Sequence, residues 1–455
     1  MSDALAERLA DWSHSLDVAD IPAEVRAVAA KALLDHAGLC VAARNEDYIG
    51  AILRSWDGEG GCTAFGHAQG LDAAGAALVN GTAAHGEDFD DTFEGSPVHA
   101  TAVAMPAVLA ACERYGRSGA DLLKGYVVAA ELMCRLTVVA PTAIHRAGFH
   151  PTAVLGTMGA AAGVAAALGL NEKQTVDGLG VAGSLASGII EYLAEGAWTK
   201  RMHAGWAAQS GIRAALMGRE GFLGPRTVFE GEHGFFLAFA VPEIERDYSH
   251  LTNGLGSDWY MQRIAFKSYA CGTMTQPFID CAIQLRDKGV DPDGIEKILC
   301  RVGEGTVHRL WEPLDEKREP TTPYSAKFSG PFCSVIGLLD GGAGLAQFTE
   351  ERVRDPRALK LAAKVSYEID PKDEYPRNYS GHILATLSDG TEVEARQPHL
   401  RGGVREPLSQ EEIAAKFAAN CAFAGWDEQK TQALADCCAG LFDAPDLKAL
   451  ARFRG

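Results

Sequence analysis

The chain reads as a mainly α-helical protein carrying an α+β insert: one large all-helical domain and one smaller α+β domain. Three observations predict this. Up to about residue 260 the sequence is a succession of Ala/Gly/Leu-rich runs with apolar positions three and four apart, the period of buried helices. After about Gly254 the texture changes, and runs such as IEKILCRVGEG and SGHILATLSDG show period-two alternation and turn punctuation. From about residue 405 amphipathic helix returns. The expected division is therefore 1–260 helical, 261–404 α+β and 405–455 helical, and 455 residues is too long for one ordinary core.

Taken in order, Pro22 sits at the head of the run VRAVAAKALLDHAGLCVAA, where a proline suits a first turn. The glycine-rich SWDGEGGCTAFGHAQG is a connection, and a helix over about 71–82 follows it. HATAVAMPAVLAACERYG, SGADLLKGYVVAAELMCRLTVVA, VLGTMGAAAGVAAALGL, EKQTVDGLGVAGSLASG and HAGWAAQSGIRAALMGREGF continue the helical pattern. Their small residues allow close crossings, so these helices should be buried on most sides. In the insert, IEKILCRVGEG, LAAKVSYEI, SGHILATLSDG and TEVEARQ read as strands. TQPFIDCAIQLRDKG, KFSGPFCSVIGLLDGG and the shorter DPRALKLAAK read as helices. The tail opens at LSQEE, with Ser409 as a candidate cap. Its texture matches the first half better than the middle, which leaves open that it packs back there.

A formal charge of -18 argues against a nucleic-acid or anionic membrane partner, though not against one basic pocket for an acidic small molecule. The eleven cysteines are scattered and form no CxxC pair. With no secretory pattern at the start and no uninterrupted apolar span, the expectation is a reduced, cytoplasmic protein without a structural zinc site or a transmembrane segment.

The stretch from Asn80 to Ala100, NGTAAHGEDFDDTFEGSPVHA, is the densest polar island. It gathers His85, Glu87, Asp88, Asp90, Asp91, Thr92, Ser96 and His99 between two apolar helical runs. Groups of this kind are costly to bury unless they are hydrogen-bonded or used for chemistry. Against that stands the plainer reading of a surface loop with capping aspartates. Three further islands interrupt packable helices: HRAGFHPTAVLG with His145, Arg146 and His150, GAWTKRMHAGWAAQSG with Thr199, Lys200, Arg201 and His203, and AFKSYACGTMTQP with Lys267, Tyr269 and Cys271. Any one of them is more often a cap or a surface patch. Together they make a composite cleft the better reading.

A facial His/carboxylate metal site can be imagined from the spacing of His85 with Asp88 and Glu87 with Asp91, but no HExxH is present. GxSxG is absent from a nucleophile-elbow context, and neither a dinucleotide nor a P-loop fingerprint follows a strand. What remains is acid-base chemistry at a carbon next to a carboxylate. There a carboxylate or imidazole moves a proton, while cationic groups hold the substrate and stabilise enolate-like charge.

HGEDFDDTF followed by HATAVAMP, then GFHPTAVLGTMGAAA, WTKRMHAGWAAQSG, AFKSYA and SAKFSGPFCSVIGLLDGG resemble the successive motifs of the 2-methylcitrate dehydratase superfamily. It is often called the MmgE/PrpD family and includes cis-aconitate decarboxylase and iminodisuccinate epimerase. The likeness runs in family order over roughly residues 10–420. It implies a helical domain built from the N-terminal half and the C-terminal tail, with an inserted α+β lid. It also implies a homodimer and a cleft active site that uses neither metal nor organic cofactor. By motif position, Asp88 and His99 would transfer protons, with Lys200 and Lys267 completing the catalytic set. Thr92, His150, Arg201, Tyr269 and Cys271 would line the substrate.

Several positions depart from the family pattern. One extra residue precedes His99, and Arg201 stands where relatives often have proline. Ala270 and Gly272 replace a proline and a histidine, so that Tyr269, Cys271 or Gln276 would have to supply a missing proton donor. Phe332 occupies what resembles a tyrosine position. The expected activity is a cofactor-independent hydro-lyase acting on a small di- or tricarboxylate, with an epimerase or isomerase, or a decarboxylase, as the alternative. A decayed member serving only as a binding or assembly protein is the third reading.

Overall fold

A computed structural model describes residues 3–455. Two compact units emerge, one of residues 3–86, 90–264 and 410–455, the other of residues 87–89 and 265–409. Helices dominate the first and the second contains the sheet.

In the first unit the N-terminal helices are α1 (Leu5–Ser15), α2 (Ala23–Ala42) and α3 (Asp47–Ser55). Then come α4 (Ala73–Gly86), α5 (Thr101–Tyr115), α6 (Gly119–Val139), α7 (Pro151–Leu168), α8 (Glu172–Leu185) and α9 (Thr199–Arg219). The expected helix over 71–82 runs four residues further, so His85 belongs to its last turn. Pro151 takes the first helical position of α7, as expected, whereas Pro22 is the N-cap of α2. Helix α7 is apolar and long enough to cross a membrane by composition alone, yet 94% of it is buried inside the unit. It is a core helix, packed against α6 and α9.

Small residues set these crossings. A Cβ on Gly205 in α9 would lie 2.1 Å from the Leu78 carbonyl of α4, and one on Gly81 would lie 2.6 Å from the Gly205 Cα. Backbone therefore touches backbone where α4 and α9 cross, which no larger residue permits. A second fixture is ionic. Buried Arg135 of α6 donates to the Glu131 carboxylate at 2.6 Å and to the carbonyls of His250, Asn253, Gly254 and Asp258. Glu131 in turn accepts from the Tyr260 and Met261 amides. Every charge in that set has a partner, the condition on which a buried ion pair is tolerated.

In the second unit, helix α10 (Gln276–Asp287) is followed by strand β1 (Ile295–Val302), α11 (Gly330–Asp340), α12 (Pro356–Ala362), β2 (Val365–Ile369), β3 (Gly381–Leu387) and β4 (Glu392–Gln397). The sheet order is β2-β1-β3-β4, with β1 parallel to β2 and the other pairs antiparallel. Ile295, Ile298, Cys300 and Val302 of β1 are buried, while Glu296, Lys297 and Arg301 are exposed. The inner face packs with Phe278, Val335, Leu338 and fully buried Trp311. One covered face is the expected outcome of strands that alternate.

The C-terminal helices α13 (Gln410–Phe423) and α14 (Glu428–Gly440) belong to the first unit. Helix α13 packs on α2, where the Phe417 ring fills the space over Gly38 and Lys416 meets Asp35 at 2.8 Å, both buried.

Candidate active site

The first unit holds a buried imidazole and carboxylate cluster. The α4–α9 crossing at Gly81 and Gly205 brings the last turn of α4, with His85, toward the first turns of α9, with Lys200 and His203. His150, the N-cap of α7, joins them: its ring lies 5.6 Å from that of His85 and 5.3 Å from that of His203, centroid to centroid. His99 completes the row at 4.8 Å from His85. Tyr192 packs edge-on to both His150 and His203.

Asp90 is the acidic centre of this row. Its Oδ2 accepts from His85 Nδ1 at 2.7 Å and lies 3.4 Å from His99 Nδ1. Donor atoms of His85, Asp90 and His99 all fall within 4.8 Å of one another, so this set can hold a metal ion. Its shortest contacts are nevertheless those of hydrogen bonds. Asp91 does what a capping aspartate does: its Oδ1 accepts from the Thr101 amide at the start of α5. Burial raises its carboxyl to about 7, against the hydrogen bonds from Thr101 that lower it.

The residues ahead of His99 form a tight turn. Residues 93–98 close on themselves through the Phe93 amide to the Val98 carbonyl at 2.8 Å, with Gly95 at a φ of 97°. Ser96 hydrogen-bonds Thr137 beneath this turn. His99 Nδ1 donates to the Asp91 carbonyl at 2.6 Å, and Thr92, at the start of the turn, is buried.

His150 and His203 share a hydrogen bond, Nδ1 to Nδ1, at 3.1 Å. Burial is the main reason that both resist protonation, His203 being lowered to about 4 and His150 well below its ordinary value. His85 and Lys200 add to both shifts, which also places the Lys200 ammonium close to the pair. Arg201 stacks over the Tyr48 ring, its guanidinium carbon 4.5 Å from the centroid.

In the second unit, Asp88 is buried and adopts a φ of 55°, a left-handed conformation unusual outside glycine. Lys267 Nζ donates to the Asp88 carbonyl at 2.8 Å. Lys327 Nζ donates to the Glu87 carbonyl at 2.7 Å and to its carboxylate at 2.5 Å. The Tyr269 phenol donates to Asp280 Oδ1 at 2.6 Å, and burial beside that carboxylate raises it. Cys271 is fully buried and accepts from the Thr275 hydroxyl at 3.0 Å. The Gln276 amide accepts from the Ser268 amide and donates to the Tyr269 carbonyl. All three candidate replacements for the missing histidine therefore hold this loop together. The space beside Gly272 is taken by the Phe328 ring, 3.0 Å from where a Cβ would lie. Phe332 is buried at the start of α11.

Of the expected residues, His99, His150 and Lys200 thus share the cluster of the first unit, and Asp88 and Lys267 are in contact in the second. His203 and Lys327 had no role in the sequence reading, although each stands inside a quoted motif, next to Lys200 and within SAKFSG respectively.

Fold and cluster together describe a helical protein with a sheet-bearing insert and a buried cluster of imidazole and carboxylate side chains. Comparison with known proteins supplies the family. The MmgE/PrpD N-terminal domain matches residues 7–246 and the MmgE/PrpD C-terminal domain matches residues 269–440. The chain belongs to the MmgE/PrpD family. It is 32% identical over 373 residues to a Homo sapiens protein named cis-aconitate decarboxylase, covering 77% of this chain and 73% of that one. A Mus musculus protein of the same name is 30% identical over 365 residues, covering 76% and 71%. An Aspergillus terreus protein, also named cis-aconitate decarboxylase, is 25% identical over 472 residues, covering 98% and 95%.

Proposed function

We propose that this protein is a carboxylate-acting lyase that decarboxylates a small unsaturated di- or tricarboxylate of the cis-aconitate kind. The observation that carries the acid-base part is the buried row of His99, His85, His150 and His203 around Asp90. The names of the human and fungal relatives favour decarboxylation over the elimination of water that the sequence reading put first.

In this reading the carbon–carbon bond to one carboxylate breaks and its electron pair passes into the conjugated system of the remaining acid. Carbon dioxide leaves, and one proton is delivered to carbon. His99 delivers it, since a carboxylate 3.4 Å from its Nδ1 is the counter-charge that an imidazolium needs. Asp88 is the alternative donor of that one proton. Lys200 and Lys267 hold substrate carboxylates as cations and spread the developing charge. His150, kept neutral by burial, binds as a hydrogen-bond donor. Arg201 adds a further positive group.

Water elimination stays as the second reading because Gly272 offers no proton donor where the decarboxylating branch resembles a histidine. A homodimer in the cytoplasm completes the proposal. Ile189, Leu193, Trp198, Phe222, Leu223 and Leu237 of the first unit are exposed apolar side chains available to a second copy.

The test is carbon dioxide release from cis-aconitate and related acids in deuterated water, with alkene absorbance and optical rotation followed in parallel. Carbon dioxide with one deuterium on carbon is expected. Alkene formation from a hydroxy acid without carbon dioxide would establish the dehydratase, and exchange with inversion the epimerase. Light scattering and cell fractionation test the dimer and the location.

A further inference from the structure

Lys327 has no part in the chemistry above, yet it is among the most buried charged groups of the second unit, at 1% exposure. Its ammonium holds the Glu87 carbonyl, while Lys267 holds the next carbonyl along, that of Asp88. These carbonyls belong to the peptide planes on either side of the Asp88 Cα. Peptide groups are planar, so the two planes differ only by the φ and ψ of that residue. Fixing both carbonyl directions therefore fixes the Asp88 backbone. The conformation held in this way is the left-handed one, with φ at 55°, which an aspartate adopts reluctantly when nothing imposes it. The Glu87 carboxylate, 2.5 Å from Lys327, supplies the counter-charge that lets the ammonium remain buried.

We propose that Lys327, paired with Glu87, is a positioning residue that acts with Lys267 to hold Asp88 left-handed and so aim its carboxylate. The inference rests on the reading of Asp88 as a proton-transfer group and adds the device that sets its direction. Lys327 touches no reacting atom in this scheme. Its effect passes through the backbone.

The test uses the full-length protein with Lys327→Met and Glu87→Gln combined, so that no buried charge is left unpaired, alongside Lys327→Arg and Glu87→Gln alone. The double variant is expected to melt close to wild type and to lose kcat about 100-fold with a smaller change in KM, the effect of a misdirected catalytic group. Lys327→Arg, which can still donate to the carbonyl, should recover most of kcat, and Glu87→Gln alone, which leaves the ammonium buried without its counter-charge, should lower the melting temperature. In its crystal structure the double variant should show Asp88 relaxed to negative φ, a readout that needs no substrate. A double variant with kcat within about twofold of wild type, or with Asp88 still at positive φ, overturns the proposal. If the double variant does not fold, a folded Lys327→Arg variant with kcat about 100-fold below wild type overturns it equally. Asp88→Asn is the control for the underlying reading: near-wild-type turnover by it removes Asp88 from the chemistry. An inactive Asp88→Asn beside an active double variant removes only Lys327.

Discussion

His150 and His203 meet Nδ1 to Nδ1 at 3.1 Å, and because both resist protonation only one of the two can be the donor. If His150 is to donate from its Nε2 to a substrate carboxylate, its Nδ1 must accept, and His203 must carry the proton between them. His203→Phe removes that donor and frees the wrong tautomer. It should raise KM about tenfold, the worth of one well-placed hydrogen bond, with little change in kcat. His203→Gln retains an N–H and should recover most of the loss. Equal KM values for the two variants would show that packing alone matters there.

The same cluster makes stability depend on pH in two opposite ways. His203 is lowered from 6.5 to about 4, chiefly by burial, so the unfolded chain takes up a proton that the folded one refuses. Its contribution is complete above pH 6.5 and is lost as pH falls toward 4. Asp91 is raised from 3.8 to about 7, again chiefly by burial, so the folded chain keeps a proton that the unfolded one has released. Its contribution is complete below pH 3.8 and is lost as pH rises through 7. Urea midpoints should therefore show the stability gap between wild type and His203→Gln widening from acid toward neutral pH. The gap to Asp91→Asn should narrow over the same range.

Gly205→Ala tests whether the α4–α9 crossing positions the cluster. The new Cβ would stand 2.1 Å from the Leu78 carbonyl, too close for either helix to stay in place. Overpacking of this kind costs about 1–3 kcal/mol. Activity should fall further than stability, because the crossing carries His85 on one helix and Lys200 and His203 on the other. Thermal melting and kcat measured on the same preparation separate the two effects.

Lys416→Met should be strongly destabilising although Lys416 has no role in the proposed chemistry. It leaves Asp35 buried beside an apolar side chain, at a cost of about 3–5 kcal/mol. Replacing Asp35 by Leu in the same chain removes the buried carboxylate as well and should return most of the stability, as chemical denaturation would show.

The helical periodicity, the strand alternation and the polar islands were legible because each is a local pattern. The turn of residues 93–98 lay beyond that reach: counting residues does not show how the backbone closes at Gly95 or that His99 meets the Asp91 carbonyl. His203 was quoted beside Lys200 but given no role, since its partner His150 lies 53 residues away and the pairing depends on how three helices pack. Lys327 was missed for a similar reason. Its carbonyl target is 240 residues distant, and a lysine that binds main chain leaves no mark in the residue type it touches.

The packing of α13 on α2 also dictates an order of birth. Phe417 covers Gly38 and Lys416 neutralises Asp35, so α2 stays unsatisfied while almost four hundred further residues are synthesised. Over that interval the ribosome releases the strands and helices of 265–409, whose core partners all lie within that segment. The part made first thus waits for the part made last, and a ribosome that stalls before residue 416 leaves α2 without the helix that covers it.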